Sequence, residues 1–194
     1  LSLPGEVKAG SVAILVRGGN ADNVLTLDST SVVDGGPGGV AIRYRKSSFG
    51  DGCLTVDGGG RITGSIDVSP NCDSGDATAS AARALPVAGE AGAVTIAPGG
   101  RWFAEGTSRA RVVNTGEVHV GRTATLAEAR LEGDYVQTAD GSLVVGADFG
   151  RGTADRLVVD GRAHVDGAIR VAPVTLVAGG PVEVLRATRV TGAA

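Results

Sequence analysis

Methionine is absent from this 194-residue chain, lysine occurs only at Lys8 and Lys46, and aromatic residues make up 3%. With one Trp, two Tyr and three Phe, a core has to be built almost wholly from small aliphatic side chains. Such a composition suits a layered stack of repeats better than a single globule. No apolar run approaches the ~18 residues that a membrane-spanning helix needs. No basic stretch leads into an apolar one at the start, so no signal peptide is expected, and Leu1 in place of Met reads as the start of an excised piece. Neither sign of charge dominates: 18 basic and 21 acidic residues give a net charge of -3. Without a basic run to follow a phosphate backbone, or aromatic and basic residues interleaved to stack bases, nucleic acid is not an expected partner.

Glycine is abundant instead: 32 positions, about 16% against a usual ~7%. These glycines do not fall at every third position, which excludes collagen. Hydrophobic residues reach 42%, so the chain can bury enough surface to order itself. Period-two alternation dominates and helical periodicity is scarce. Strands are expected at Val12–Arg17, Val24–Leu27, Val40–Arg43, Leu54–Val56, Ile62–Val68, Val94–Ala97, Arg111–Val113 and Glu117–Val120. Further ones are expected at Ala124–Leu131, Tyr135–Thr138, Leu143–Ala147, Arg156–Val159, His164–Val171 and Val182–Arg186. Turns such as DGG, PGG, NTG and ADG separate them.

The fold class is therefore all-β. A sandwich would carry aromatic core anchors and hairpin-spaced turns. Here a unit of turn, glycine and alternating apolar residues recurs instead, in GGRITGSIDV, PGGRWFAEG, NTGEVHVG, ADGSLVVGAD and VDGRAHVDGAIRV. Three such pieces, about 20 residues, would make one coil of a solenoid. We therefore expect a right-handed parallel β-helix, with an antiparallel sandwich as its competitor and glycines at the corners supplying positive φ. Residues 74–90 (SGDATASAARALPVAGE) break the alternation and read as a loop excursion, with a helical turn near Ala79–Leu85.

From residue 133 the pattern becomes specific: GDYVQTADGSLVVGADFGRGTADRLVVDGRAHVDGAIRV. It resembles the pre-barrel region of autotransporter passenger domains, the autochaperone or junction region. Tyr135 and Gln137 match that family's aromatic–polar pair, Gly141 and Leu143 its turn and apolar strand, Asp155, Leu157, Val159 and Gly161 its Asp-x-Leu-x-Val-x-Gly, and Gly167 its last glycine. The match spans residues 110–175, so we divide the chain into β-helix coils at 1–109 and a C-terminal capping, autochaperone-like segment at 110–194. The resemblance implies a Gram-negative protein, at the cell surface or secreted, that crosses the outer membrane through its own C-terminal β-barrel. That barrel is its implied partner and is not in this sequence. It further implies that this region seeds folding of the coils emerging behind it, in an adhesin or another virulence-related surface protein with a host-surface ligand.

Cys53 and Cys72, the only cysteines, are separated by 18 residues, close to the expected coil. Neighbouring strands lie about 4.8 Å apart, within reach of a disulfide, and an extracellular destination permits one. A Cys53–Cys72 disulfide is expected, with two buried thiols as the alternative. His119 and His164 should both face solvent, with no second ligand or nucleophile in a matching place. The stretch GGNADNVLTLD at 18–28 has one faint likeness to a calcium-binding nonapeptide, but Ala21 stands where that motif has Gly; a corner turn accounts for it better. Asp148, Asp155, Asp160 and Asp166 would hydrolyse glycosides only if a pair converged at the right separation. Trp102 and Phe103 are adjacent on one strand, so one ring should plug the interior and the other face out.

No catalytic, cofactor or metal motif is legible, and the expectation is a non-enzymatic structural stem. Two other classes compete with it. One is a β-helical polysaccharide lyase or hydrolase, which needs a charged groove. The other is a self-associating module, joined through the unpaired backbone of an end coil.

Overall fold

The computed structural model describes residues 2, 4–19, 21–46, 52–68, 84–122, 125–175 and 179–193. Within these residues every regular element is a strand, and the strands stack as a parallel β-helix of about six turns. The first coil holds β1 (Glu6–Lys8), β2 (Val12–Arg17) and β3 (Asn23–Leu27), and the second β4 (Val32–Asp34), β5 (Val40–Arg45) and β6 (Leu54–Gly58). The third holds β7 (Arg61–Thr63), β8 (Ser65–Asp67) and β9 (Ala93–Ile96), and the fourth β10 (Arg101–Ala104), β11 (Gly106–Arg109) and β12 (Arg111–Asn114). The fifth is β13 (Glu117–Val120), β14 (Glu128–Glu132) and β15 (Tyr135–Gln137). In the sixth, β16 (Ser142–Asp148) is followed by the short β17 (Thr153–Ala154) and by β18 (Arg156–Val165), which is long enough to serve two faces. β19 (Ala168–Pro173) and β20 (Leu185–Gly192) form the seventh and last rung.

Three faces result, each one strand per coil, and every pairing among the described strands is parallel except β16 with β17. Alternation gives each face an inward column. The first runs Val7, Val33, Ile62, Trp102, Val118, Leu143, Ile169. The second runs Ile14, Ile42, Ile66, Ser108, Leu131, Val159, Ala187. The third runs Leu25, Val56, Val94, Val112, Tyr135, Ala163, Val190. Burying one such Val, Leu or Ile contributes about 1.5–3 kcal/mol, and stacking like on like leaves no room for large rings at most levels. The scarcity of aromatics thus follows from the narrow interior.

The corners differ from expectation. Between the third and first faces stand Gly60, Gly100, Gly116, Gly141 and Gly167, immediately before β7, β10, β13, β16 and β19, with Ser31 in that place before β4. None of these glycines has a positive φ. A Cβ on Gly60 would lie 2.3 Å from the Ser31 carbonyl oxygen, and one on Gly167 2.2 Å from that of Gly141. These positions demand glycine because the chain of the preceding coil fills the space. A main-chain ladder runs up the same corner: Arg101 N–H donates to Gly60 O, Glu117 to Gly100 O, Ser142 to Gly116 O and Ala168 to Gly141 O. Positive φ decides elsewhere. Gly64, at +113°, turns the chain from β7 into β8 and divides what alternation reads as one strand, Ile62–Val68.

Coil length also departs from the expected 20 residues: Ile62 to Trp102 takes 40 residues and Trp102 to Val118 takes 16. The inward columns fix only the strands, so a long connection is accommodated between the second and third faces, whereas the corner from the third face to the first stays short in every coil. The longest lies between β8 and β9. Its residues 69–83, and with them Cys72 and most of the expected helical turn, fall outside the described residues. Its return limb, 84–92, is clamped to the third face. Arg111 donates to Glu90 Oε1 (2.7 Å) and to Ala84 O (3.1 Å), and Gly92 N–H donates to Thr55 Oγ1. The stack runs without a break across residues 109 and 110, where Ala110 alone separates β11 from β12.

Candidate functional site

The nine residues of the autochaperone-like pattern gather in coils five to seven, and each serves the interior or a corner. Tyr135 is fully buried in the third column, and burial pushes its phenol pKa up. Its hydroxyl donates to Gln137 Oε1 (2.9 Å) and accepts from Asn114 Nδ2 (3.1 Å). Asn114, in register with Gln137 one coil below, also donates to Ser142 O (3.0 Å) and accepts from Gly116 N–H (3.1 Å). Gln137 Nε2 donates to Ala168 O (3.0 Å). The donors therefore run one way, from coil four through coil five to the backbone of coils six and seven. All three side chains are 0% exposed, and buried amides so placed must find partners. Asn114 is the member that sequence reasoning missed; NTG reads there only as a turn.

Leu143 belongs to the first column, Val159 to the second, and Leu157 is fully buried beside Ala129. Asp155 is buried and accepts Ala127 N–H (2.6 Å) and Gly146 N–H (2.5 Å), pinning the turn before β14 and the middle of β16 to the start of β18. Gly161 sits where a Cβ would come within 2.5 Å of Gly133 O. Gly141 and Gly167 belong to the corner column. Just outside, Asp134 accepts from the Arg162 N–H (2.9 Å) and guanidinium (2.6 Å). Burial works against its charged form, but Arg162 prevails and holds its pKa below the usual carboxylate range.

On the outer surface of the first face, Arg61, Phe103 and His119 stack along the axis. Arg61 Cζ lies 4.6 Å from the Phe103 ring centre, and the Phe103 and His119 rings are 4.6 Å apart at 21°. Trp102 points inward, 1% exposed, with Nε1 donating to Gly64 O (2.9 Å); the inward–outward division of this pair is as expected. His119 contacts Glu117, whose pKa His119, then Arg101 and Arg170, hold down. His164 lies between Asp166 Oδ2 (2.8 Å) and Thr191 Oγ1 (3.0 Å) on the outside of the third face. A cavity of about 470 Å³ opens beside Phe103 and His119, walled by Val120, Leu126, Val144 and Val174. Its charged groups are already engaged, Asp155 as above and Arg122 with Glu105 and Gly36 O.

The four aspartates weighed for glycoside hydrolysis each engage a different partner. Asp148 takes the Thr175 hydroxyl, which lowers its pKa, Asp155 the backbone, Asp160 Arg130, and Asp166 His164. At 18–28 the chain makes a corner: Asn23 Nδ2 donates to Ala21 O, and Asp28 accepts from Thr30. Cys53 is buried at the head of β6, its N–H donating to Asp22; the second half of the expected disulfide lies outside the described residues. No group of three or more His, Cys, Asp or Glu side chains able to hold a metal occurs among the described residues.

Compared with protein-family models, curated proteins and solved structures, the chain has no match. Function rests on the geometry above and on the resemblance in the sequence.

Proposed function

We propose that the chain is a non-enzymatic stem of an autotransporter-type passenger domain, carried to the Gram-negative cell surface or beyond, and that its last coils seed folding of the rest. One observation carries the reading. The residues of the family-like pattern all serve cohesion between rungs, from Tyr135 and Gln137 inside to Gly167 at the corner, and none directs chemistry at solvent. A solenoid coil cannot bury its face alone, so growth needs a unit that orders first. Coils four to seven have what such a unit requires: aliphatic columns and a buried polar chain that crosses four rungs. The partners of this reading are the protein's own outer-membrane barrel, which threads the chain out, and a host-surface ligand bound by the passenger.

The test is deletion of residues 133–175 from the full-length protein. Surface display should survive only as protease-sensitive material. Display of a passenger as protease-resistant as wild type would refute the folding role. Turnover of acidic polysaccharides, read by new reducing ends or unsaturated products, would refute the non-enzymatic part.

A further inference from the structure

The aliphatic columns hold the coils together but are nearly indifferent to which members meet. In paired strands a two-residue slip keeps inward side chains inward, whereas a one-residue slip turns them out. Val118 packs beside Leu143 in register; slipped by two, it would meet Val145, which is equally buried. β16 repeats Leu143 and Val145 and β18 Leu157 and Val159 at alternate inward positions, so several pairings of these C-terminal strands bury similar apolar area and differ little in energy.

The Asn114–Tyr135–Gln137 chain has no such tolerance. Sliding β15 by two residues along β12 would set the Gln137 amide beside Val112 and part it from Asn114. It would also leave Asn114 without the Tyr135 hydroxyl and the Ala168 carbonyl without its donor. Each buried group left unpaired costs about 1–3 kcal/mol, so a slip that barely alters apolar burial forfeits several such costs together. A polar group buried in an apolar seam selects register in the same way in coiled coils, and costs stability there.

We propose that this amide–phenol–amide chain is the register key of coils four to seven, selecting one pairing among near-equivalent ones. It concerns the stack itself and stands whether or not the chain is a surface stem.

The test is the triple variant Asn114→Leu, Tyr135→Phe, Gln137→Leu, followed by amide NMR and hydrogen exchange. Coils four to seven should show more than one resonance per amide and at least tenfold less protection, while coils one to three keep a single set. A single set of resonances with wild-type protection overturns the proposal, whatever the denaturation midpoint. Should the triple variant fail to fold, Tyr135→Phe alone decides. It should lower the midpoint, speed exchange at Gly116, whose N–H Asn114 Oδ1 accepts, at least tenfold, and give a second set of amide resonances in coils four to seven; a single set with unchanged exchange at Gly116 overturns the proposal.

Discussion

Replacing Trp102 with alanine should divide the stack. The indole fills the first column between Ile62 and Val118 and donates to the Gly64 carbonyl at the corner of coil three. Truncating a buried Trp costs about 3–5 kcal/mol, and an unpaired Gly64 carbonyl adds about 1 kcal/mol if the void stays dry. Domains hold roughly 5–15 kcal/mol in all, and at this length each kcal/mol shifts Tm by about 2–4 °C, so a fall of roughly 10–15 °C is expected. Repeats communicate mainly with their neighbours, so coils one to three should lose amide protection before coils five to seven. Trp102→Phe keeps a ring in the column and loses the donor, at about 1–2 kcal/mol. Urea melts followed by circular dichroism, with hydrogen exchange by segment, read both. A cost below about 1 kcal/mol for Trp102→Ala, or equal costs for Ala and Phe, would refute the assignment of Trp102 as the plug between rungs.

The corner column predicts a contrast. Gly141→Ala drives a Cβ to 2.3 Å from Asn114 O and should cost about 3 kcal/mol, whereas Gly152→Ala, in open space at φ +67°, should cost about 1 kcal/mol; equal urea midpoints would contradict it. Because Arg162 depresses the pKa of Asp134, the stability this pair supplies is present in full above the ordinary carboxylate value near ~4 and is lost as pH falls through the lower folded value. Asp134→Asn should lower stability at neutral pH and flatten the acid limb of the pH profile, and an unchanged acid limb would count against the pairing. Asp155→Ala strands the N–H groups of Ala127 and Gly146 and should cost about 2–3 kcal/mol, measured by thermal melting. The denatured, unreduced protein should show no reactive thiol, and reduction should remove about 3 kcal/mol; two titratable thiols would exclude the Cys53–Cys72 bond.

Strand period was the most legible feature of the sequence, because a stack buries one side of every rung. Val12–Arg17 and Glu117–Val120 coincide with the observed β2 and β13. Where the signal was weak, the physics differed. β11 reads GTSR, and its inward Ser108 pairs its hydroxyl with Ile66 N–H in place of an apolar contact. β1 and β4 are three residues long, too short for alternation to register. Among the described residues of Ala124–Leu131 the strand begins at Glu128, and His164–Val171 is cut by the corner at Gly167. The corner glycines were visible, but their cause was not: a missing Cβ that makes room for a neighbouring carbonyl looks, in one dimension, like one that permits positive φ. Tyr135 and Gln137 were singled out by resemblance. Asn114 could be found only once the fold set it one rung below Gln137, since a separation of 23 positions along the chain conceals that neighbourhood.

The corner between the second and third faces tolerates a long connection where the glycine corner does not, which separates what can be altered from what carries weight. Many residues lie between Val68 and Ala93, and Val94 is still seated above Val56 in register. Peptides of foreign sequence could be spliced between Val68 and Ala84, as tenants on a landing, without disturbing the staircase beneath.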